Sequence, residues 1–443
     1  MVILCDQITP RIKYAFEHLL EDVQQELIFT EDPAEFQSAS GAKLIFTRKE
    51  GIASGELTFR SAGILEHTDY ARLKVDFVEW EGLPAIFPVA SSALPFDIFS
   101  ATFFLLTRYE EYWGFEGDDM GRYVPTLSCL SRLGCLDRPI VDLWRKKFNA
   151  FLVSKFPDLP IQSRESGCLL TIDVDHAYKY KCKGAIRTYG GLIKDLFKAN
   201  WMGLSKRWNV LRGTSPDPFD TYDYIQNTER KFGYPALYFF LMADRSEYDD
   251  GLYFAHSGMK SLIKKLARTN TLGIHPGVGS HKRFNTIVRE RNRLENLIGK
   301  SIKNSRQHYL MLKFRTTYRL AKAAGIKHDF TLGYAHKAGF RAGTSRPFYW
   351  FDIKKNQVTD LMIHPFAAMD TTLNKYMELS IEDAKSLSKS IIEDIHSVGG
   401  DFILLWHNET LSEENDWKGW REVYEFQLSE AQKLGMRNIP VSF

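Results

Sequence analysis

Apolar positions recur with two different textures along the chain. Through about residue 160, PRIKYAFEHLL (10–20) places Ile12, Phe16 and Leu19/Leu20 on one helical face. KLIFT (43–47) and LKVDFVEW (73–80) carry the β-branched and aromatic content of strands. FDIFSATFFLLTRYEEYWGF (96–115) predicts a strongly apolar helix ending near Gly114. Beyond Pro157-Asp158-Leu159-Pro160 the pattern becomes regular. Short apolar runs appear at CLLTIDVD (168–175), ALYFFLMAD (236–244), TLGIHP (271–276), HDFTLGY (328–334), LMIHPF (361–366) and DFILLWHN (401–408). They alternate with amphipathic stretches such as SGMKSLIKKLA (257–267) and SIEDAKSLSKSIIEDIHSV (380–398). The second stretch pairs Ser380 with Asp383 as a near capping box and stops at Gly399-Gly400. Repeated strand–helix alternation predicts parallel strands with helices outside. The expected architecture is therefore α/β, with a small N-terminal α/β domain over 1–160 and a distorted (β/α) barrel over 161–443. In such barrels the chemistry gathers at the C-terminal ends of the strands.

Composition narrows the function classes. A chain of 443 residues with 44% apolar and 26% charged content is ordinary globular protein. Aromatics make up 14%, enough to fill large cores or to stack on sugar rings. A net charge of +3 argues against a general nucleic-acid binder. The charge is uneven, however: Lys179 to Arg212 holds nine basic residues and one acid, Asp195. Ile186, Tyr189, Ile193, Leu196/Phe197, Leu204, Trp208 and Leu211 recur there at helical intervals. A solvated helix packed on the barrel would look like this, and so would a cationic interfacial segment at an anionic lipid surface. Five scattered cysteines with no CxxC pair argue against a disulfide framework or a zinc knuckle. The N-terminus lacks the pattern of a secretory signal, and no apolar run approaches the roughly 20 residues of a membrane span. A cytoplasmic location is expected, with peripheral contact at the inner membrane through 179–212.

Candidate chemistry sits at the ends of the apolar runs: Asp173-Val174-Asp175-His176, Gly273-Ile274-His275-Pro276, Gly339-Phe340-Arg341 through Arg346, and Trp406-His407-Asn408. Taken singly, such residues are ordinary helix caps or satisfied structural groups. Four such ends on one rim make a site. Residues i and i+2 of a strand share a face, so Asp173 and Asp175 project together. Two adjacent carboxylates cannot both ionise cheaply without a cation beside them.

TIDVDH (171–176), GIHPGVGS (273–280), GFRAGTSRPF (339–348) and LLWHN (404–408) occur in the order of the motifs of the polysaccharide deacetylase (NodB-homology) superfamily, which the region 165–443 resembles. SRQHYL (305–310) is similar to a bacterial subgroup of it with an N-terminal accessory domain, as are FDIFSATFFLLTRYEEY (96–112) and RPIVDLW (138–144). The resemblance implies a barrel of the polysaccharide-deacetylase type. It implies Asp173 as catalytic base, Asp175 and His275 as metal ligands, Arg341 (or Arg346) orienting the base, and His407 protonating the leaving group. It also implies a divalent metal, Zn²⁺ being the simplest, and a glycan or lipid-linked sugar substrate in bacterial surface-polysaccharide metabolism. One departure stands out. The family has a second His four residues after the first, where this chain has Gly279. His176, His281, His308 or a water could complete the site. A catalytically silent, glycan-binding barrel serving a polysaccharide assembly complex is the alternative that this gap leaves open.

Overall fold

A computed structural model describes residues 1–49, 57–252 and 254–440. The chain divides into two units, one of Met1–Ser166, Gly339–Pro365 and Asp394–Asp401, the other of Gly167–Ala338, Phe366–Glu393 and Phe402–Phe443. The first unit thus draws in segments from beyond residue 160. Among the described residues, no helix is long and apolar enough to cross a membrane.

In the first unit, β1 (Val2–Cys5), β2 (Ile28–Thr30), β3 (Lys43–Thr47) and β4 (Leu57–Arg60) form a parallel sheet in the order β2-β1-β3-β4. β5 (Phe77–Trp80) and β6 (Leu83–Ile86) make an antiparallel hairpin. The apolar stretch after Pro95 is helical only over Ile98–Leu106, where all nine residues are buried, and tightens into a 3₁₀ turn over Tyr109–Trp113. A helix apolar all round belongs inside a core. Its Phe99 stacks on Phe16 at 3.6 Å between centroids and meets Phe46, Phe59 and Phe148 edge-on. Here the abundant aromatics are core.

The second unit is built on β7 (Gly167–Val174), β8 (Ala236–Leu241), β9 (Thr271–His275), β10 (Asn304–Ser305) and β11 (His328–Asp329), each parallel to the next. The chain then returns to the first unit for β12 (Phe348–Asp352) and β13 (Gln357–Ile363), which pair antiparallel. LMIHPF therefore contains the end of β13, which belongs to the first unit and runs antiparallel to β12. β14 (Asp401–His407) lies next to β7, and β15 (Arg437–Asn438) also pairs with β7. The order within the second unit is β11-β10-β9-β8-β7-β14. This path is open, and the sheet curls into a half-barrel where a barrel was expected. β7 and β8 are buried along their whole length, as strands covered on both faces must be.

Register sets the position of the site. Asp173 lies opposite Phe239, Phe239 opposite Gly273, and Ile274 opposite Ser305. The C-terminal ends of β7, β9 and β10 are thereby level, and the residues that follow them emerge together. Gly273 makes the alignment possible, because a Cβ there would meet the Phe239 ring at 2.5 Å.

Candidate metal and catalytic site

Asp175, just past β7, is the centre of the cluster. His275 Nε2 lies 3.2 Å from its Oδ1, and His308 Nε2 lies 3.4 Å from its Oδ2. Asp175, His275 and His308 offer three ligand atoms within 4.8 Å of one another. Of the candidates for the third position, the structure brings His308 to this place. The His281 ring bonds the Val278 carbonyl instead, and His176 is not among the three.

Hydrogen bonds fix how the two imidazoles are presented. His275 Nδ1 lies 2.5 Å from the Arg306 carbonyl, which can only accept, so Nδ1 carries the proton and Nε2 a lone pair. His308 Nδ1 donates to Asp249 Oδ1 at 2.8 Å, which likewise frees Nε2. Asp249 is itself held by Val278 N at 3.0 Å and Ser246 Oγ at 2.9 Å. Backbone and carboxylate acceptors behind metal-binding imidazoles are the usual means of orienting them. Gly277 gives Asp249 its room, since a Cβ there would lie 2.9 Å from Oδ2. Asp175 Oδ1 is buried and accepts no protein hydrogen bond among the described residues. Once His308 gives up its Nε2 proton, three lone-pair donors face one another and could hold a cation between them. Two imidazoles and one carboxylate with open positions suit Zn²⁺ or a similar divalent ion.

Burial alone would raise the Asp175 carboxyl, but His308 and His275 more than reverse this and hold it well below its ordinary range. His308 is the reciprocal case. Burial favours its neutral form, yet Asp175 and Asp249 outweigh burial and raise its pKa to about 9. A metal must displace that proton, so lowering the pH weakens binding. Apparent Zn²⁺ affinity is expected to fall about tenfold per pH unit from pH 8 to pH 6, one proton being released per ion bound. Competition against a chromophoric chelator measures this. A flat profile removes His308 from the ligand set.

The second aspartate is held differently. Arg306 Nη1 donates to Asp173 Oδ1 at 2.8 Å, while Asp173 Oδ2 lies 3.8 Å from His275 Nε2. Arg306 is fully buried; its Nε bonds the Phe330 carbonyl at 3.0 Å and its guanidinium stacks 4.6 Å from the Phe239 centroid. The contact expected of Arg341 is therefore made by Arg306. Arg341 is buried in the first unit with Glu111, at 2.6 and 3.0 Å, and Arg108 bonds the same carboxylate. Arg346, the other candidate, bonds Asp22 at 2.7 Å. The segment 339–348 is a structural clasp of that unit: Thr344 and Ser345 also bond Asp142.

His407 ends β14, with Nδ1 2.9 Å from Asp370 Oδ1 and Nε2 3.8 Å from Asp175 Oδ2. Burial opposes its charge, but Asp370 outweighs burial and keeps the imidazolium well above its ordinary pKa. Asp370 thus favours the imidazolium form of His407, whose Nε2 lies on the cluster side. Trp406 next to it is core: it is buried and bonds Gln427 at 2.9 Å. Asp249, Arg306 and Asp370 were not assigned roles from sequence. No local signal singles out Arg306, because the strand before it is only Asn304–Ser305, too short to show a period. Just beyond, Tyr309 and Leu310 have φ of 55° and 54°, backbone strain of the kind that gathers at functional sites.

Residues 1–157 match a family of unknown function, DUF7033. No curated protein matches the chain. Among solved structures, the chain is similar to a candidate polysaccharide deacetylase from Mycobacterium smegmatis, with 13% identity, 64% of this chain and 96% of that one covered, and a TM-score of 0.38. It is also similar to a polysaccharide deacetylase from Bacillus cereus, with 12% identity, 63% and 93% coverage, and a TM-score of 0.31. A third similar structure is a mutant of a CE4 family pseudoenzyme with restored enzymatic activity, with 9% identity, 62% and 66% coverage, and a TM-score of 0.33.

Proposed function

We propose that the protein is a metal-dependent hydrolase that removes an acyl group, in the first instance acetyl, from a glycan or glycan precursor. The observation that carries this reading is the convergence of Asp175, His275 and His308, with Asp173–Arg306 and His407–Asp370 beside them. A divalent ion held by the first three would polarise the acyl carbonyl and bring the pKa of a water toward about 7. Asp173 accepts the proton of the attacking water through Oδ2, the oxygen that Arg306 leaves free. Arg306 keeps that carboxylate charged and aimed. His407 Nε2 then delivers its proton to the departing nitrogen or oxygen, and Asp370 stabilises the imidazolium beforehand. The glycan as substrate, and a place in bacterial surface-polysaccharide metabolism, rest on the motif resemblance of 171–176, 273–280 and 404–408.

Acetate release from acetylated amino-sugar oligomers, lipid-linked ones included, tests the reading. Release is expected with Zn²⁺-loaded protein, should vanish on chelation, and should return on adding Zn²⁺. Stoichiometric metal with no acetate released from any such substrate would leave the silent, glycan-binding reading.

A further inference from the structure

Helices Gly184–Phe197 and Trp201–Leu211 form a hairpin in the second unit. Arg207 Nε bonds Asp195 Oδ2 at 2.8 Å between them, and Asn200 Oδ1 caps the second helix by accepting from Gly203 N at 3.0 Å. Arg187 on Asp250, and Lys179 and Lys206 on Glu414, tie the hairpin down. The first helix buries no residue, and the second buries only Val210. The amphipathic helix Ser257–Leu266 behaves differently, burying Met259, Leu262, Ile263 and Leu266. In the hairpin the apolar stripe stays outside: Ile186 is 89% exposed, Phe197 87% and Met202 82%, with Trp201, Ile193 and Tyr189 exposed beside them.

The stripe is ordered. At about 100° per residue, Ile186, Tyr189, Ile193, Leu196 and Phe197 fall within an arc of roughly 100°. Arg187, Lys194 and Lys198 occupy the next sector of the same helix. Lys194 and Lys198 are exposed and make no ion pair among the described residues, and Arg212 stands 4.6 Å over the exposed Trp208 ring. Asp195, the one acid of the segment, is already used by Arg207.

We propose that this hairpin docks onto an anionic lipid bilayer. It would lie in the plane of the interface, with Ile186, Ile193, Phe197 and Met202 below the headgroups and Lys194, Lys198 and Arg212 among the phosphates. Charge complementarity selects this occupant. An apolar stripe flanked by unpaired cations suits a surface that is apolar beneath and anionic above. Tryptophans at 201 and 208 have the amphipathic rings favoured at that depth. A second copy packed hairpin to hairpin would set the same cations against each other, since Asp195, the one acid of the segment, is held by Arg207. The inference does not rest on the deacetylase reading.

Sedimentation of the full chain with vesicles tests it. The protein should pellet with phosphatidylglycerol–phosphatidylcholine vesicles at low salt, weakly or not at all with pure phosphatidylcholine, and less as salt rises. Lys194→Glu with Lys198→Glu should weaken binding at least tenfold, each basic residue near such a surface being worth about fivefold. Ile186→Ser, Phe197→Ser and Met202→Ser together should abolish it. Both variants should melt with the wild type, since every altered side chain is exposed. Equal pelleting with neutral and anionic vesicles, or of wild type and the apolar variant, overturns the proposal. So does a wild-type dimer without vesicle binding that the serine variant turns into monomer, because the stripe then belongs to a second copy.

Discussion

Asn in place of Asp173 is expected to cut acetate release by about 10²–10⁴-fold while leaving bound metal nearly unchanged, because it removes a general base and not a ligand. Asn keeps an oxygen to accept from Arg306 Nη1, now at 2.8 Å from Oδ1, so the local geometry survives. The cost is a buried guanidinium that loses its charged partner, and a lower melting temperature should show it. Acetate release and elemental analysis on one preparation separate the effects. If Asp173→Asn loses the metal, Asp173 is a ligand and the roles of the two aspartates must be exchanged.

Removing a ligand has the opposite signature. His308→Ala and Asp175→Ala should each weaken Zn²⁺ binding by more than about 100-fold, with acetate release falling in step. Asp249→Asn, which leaves the three donors in place and alters the acceptor behind His308 Nδ1, should weaken it by about 10–100-fold, the range for a group behind a ligand. His281→Ala provides the contrast. Its ring bonds the Val278 carbonyl and does not join the cluster, so metal content should be retained. Metal loss in His281→Ala, with His308→Ala unaffected, would assign the third ligand to the wrong histidine.

Much of the cluster could be read locally. Asp173, Asp175, His275 and His407 each end a run whose apolar content already identifies a buried strand, and β7, β9 and β14 occur where those runs lie. Period-two geometry put the two aspartates on one face. What differed depended on contacts between distant segments. LMIHPF has the apolar content of any buried strand, and only the pairing shows that β13, whose end it contains, runs antiparallel to β12. Apolar content does not encode the direction of the neighbour.

The two arginines show the limit most clearly. Arg306 lies between Ser305 and Gln307 and Arg341 between Phe340 and Ala342, and neither setting ranks one above the other. Arg341 finds Glu111, 230 residues earlier in the chain, whereas Arg306 finds Asp173. β10, which delivers Arg306 and His308, is two residues long and too short to show any period. The amphipathic period of 184–211 was likewise visible, but not that its apolar side would remain in solvent.

The sequence by itself determined which segments become buried strands and which chemical groups stand at their ends, because periodicity and residue type act over a few residues. Only the tertiary structure decided that His308 is the third donor and Arg306 the partner of Asp173. Both follow from Ser305 aligning with Ile274 and Phe239 with Gly273. That register is set by packing across the sheet, and no residue's immediate neighbours carry it.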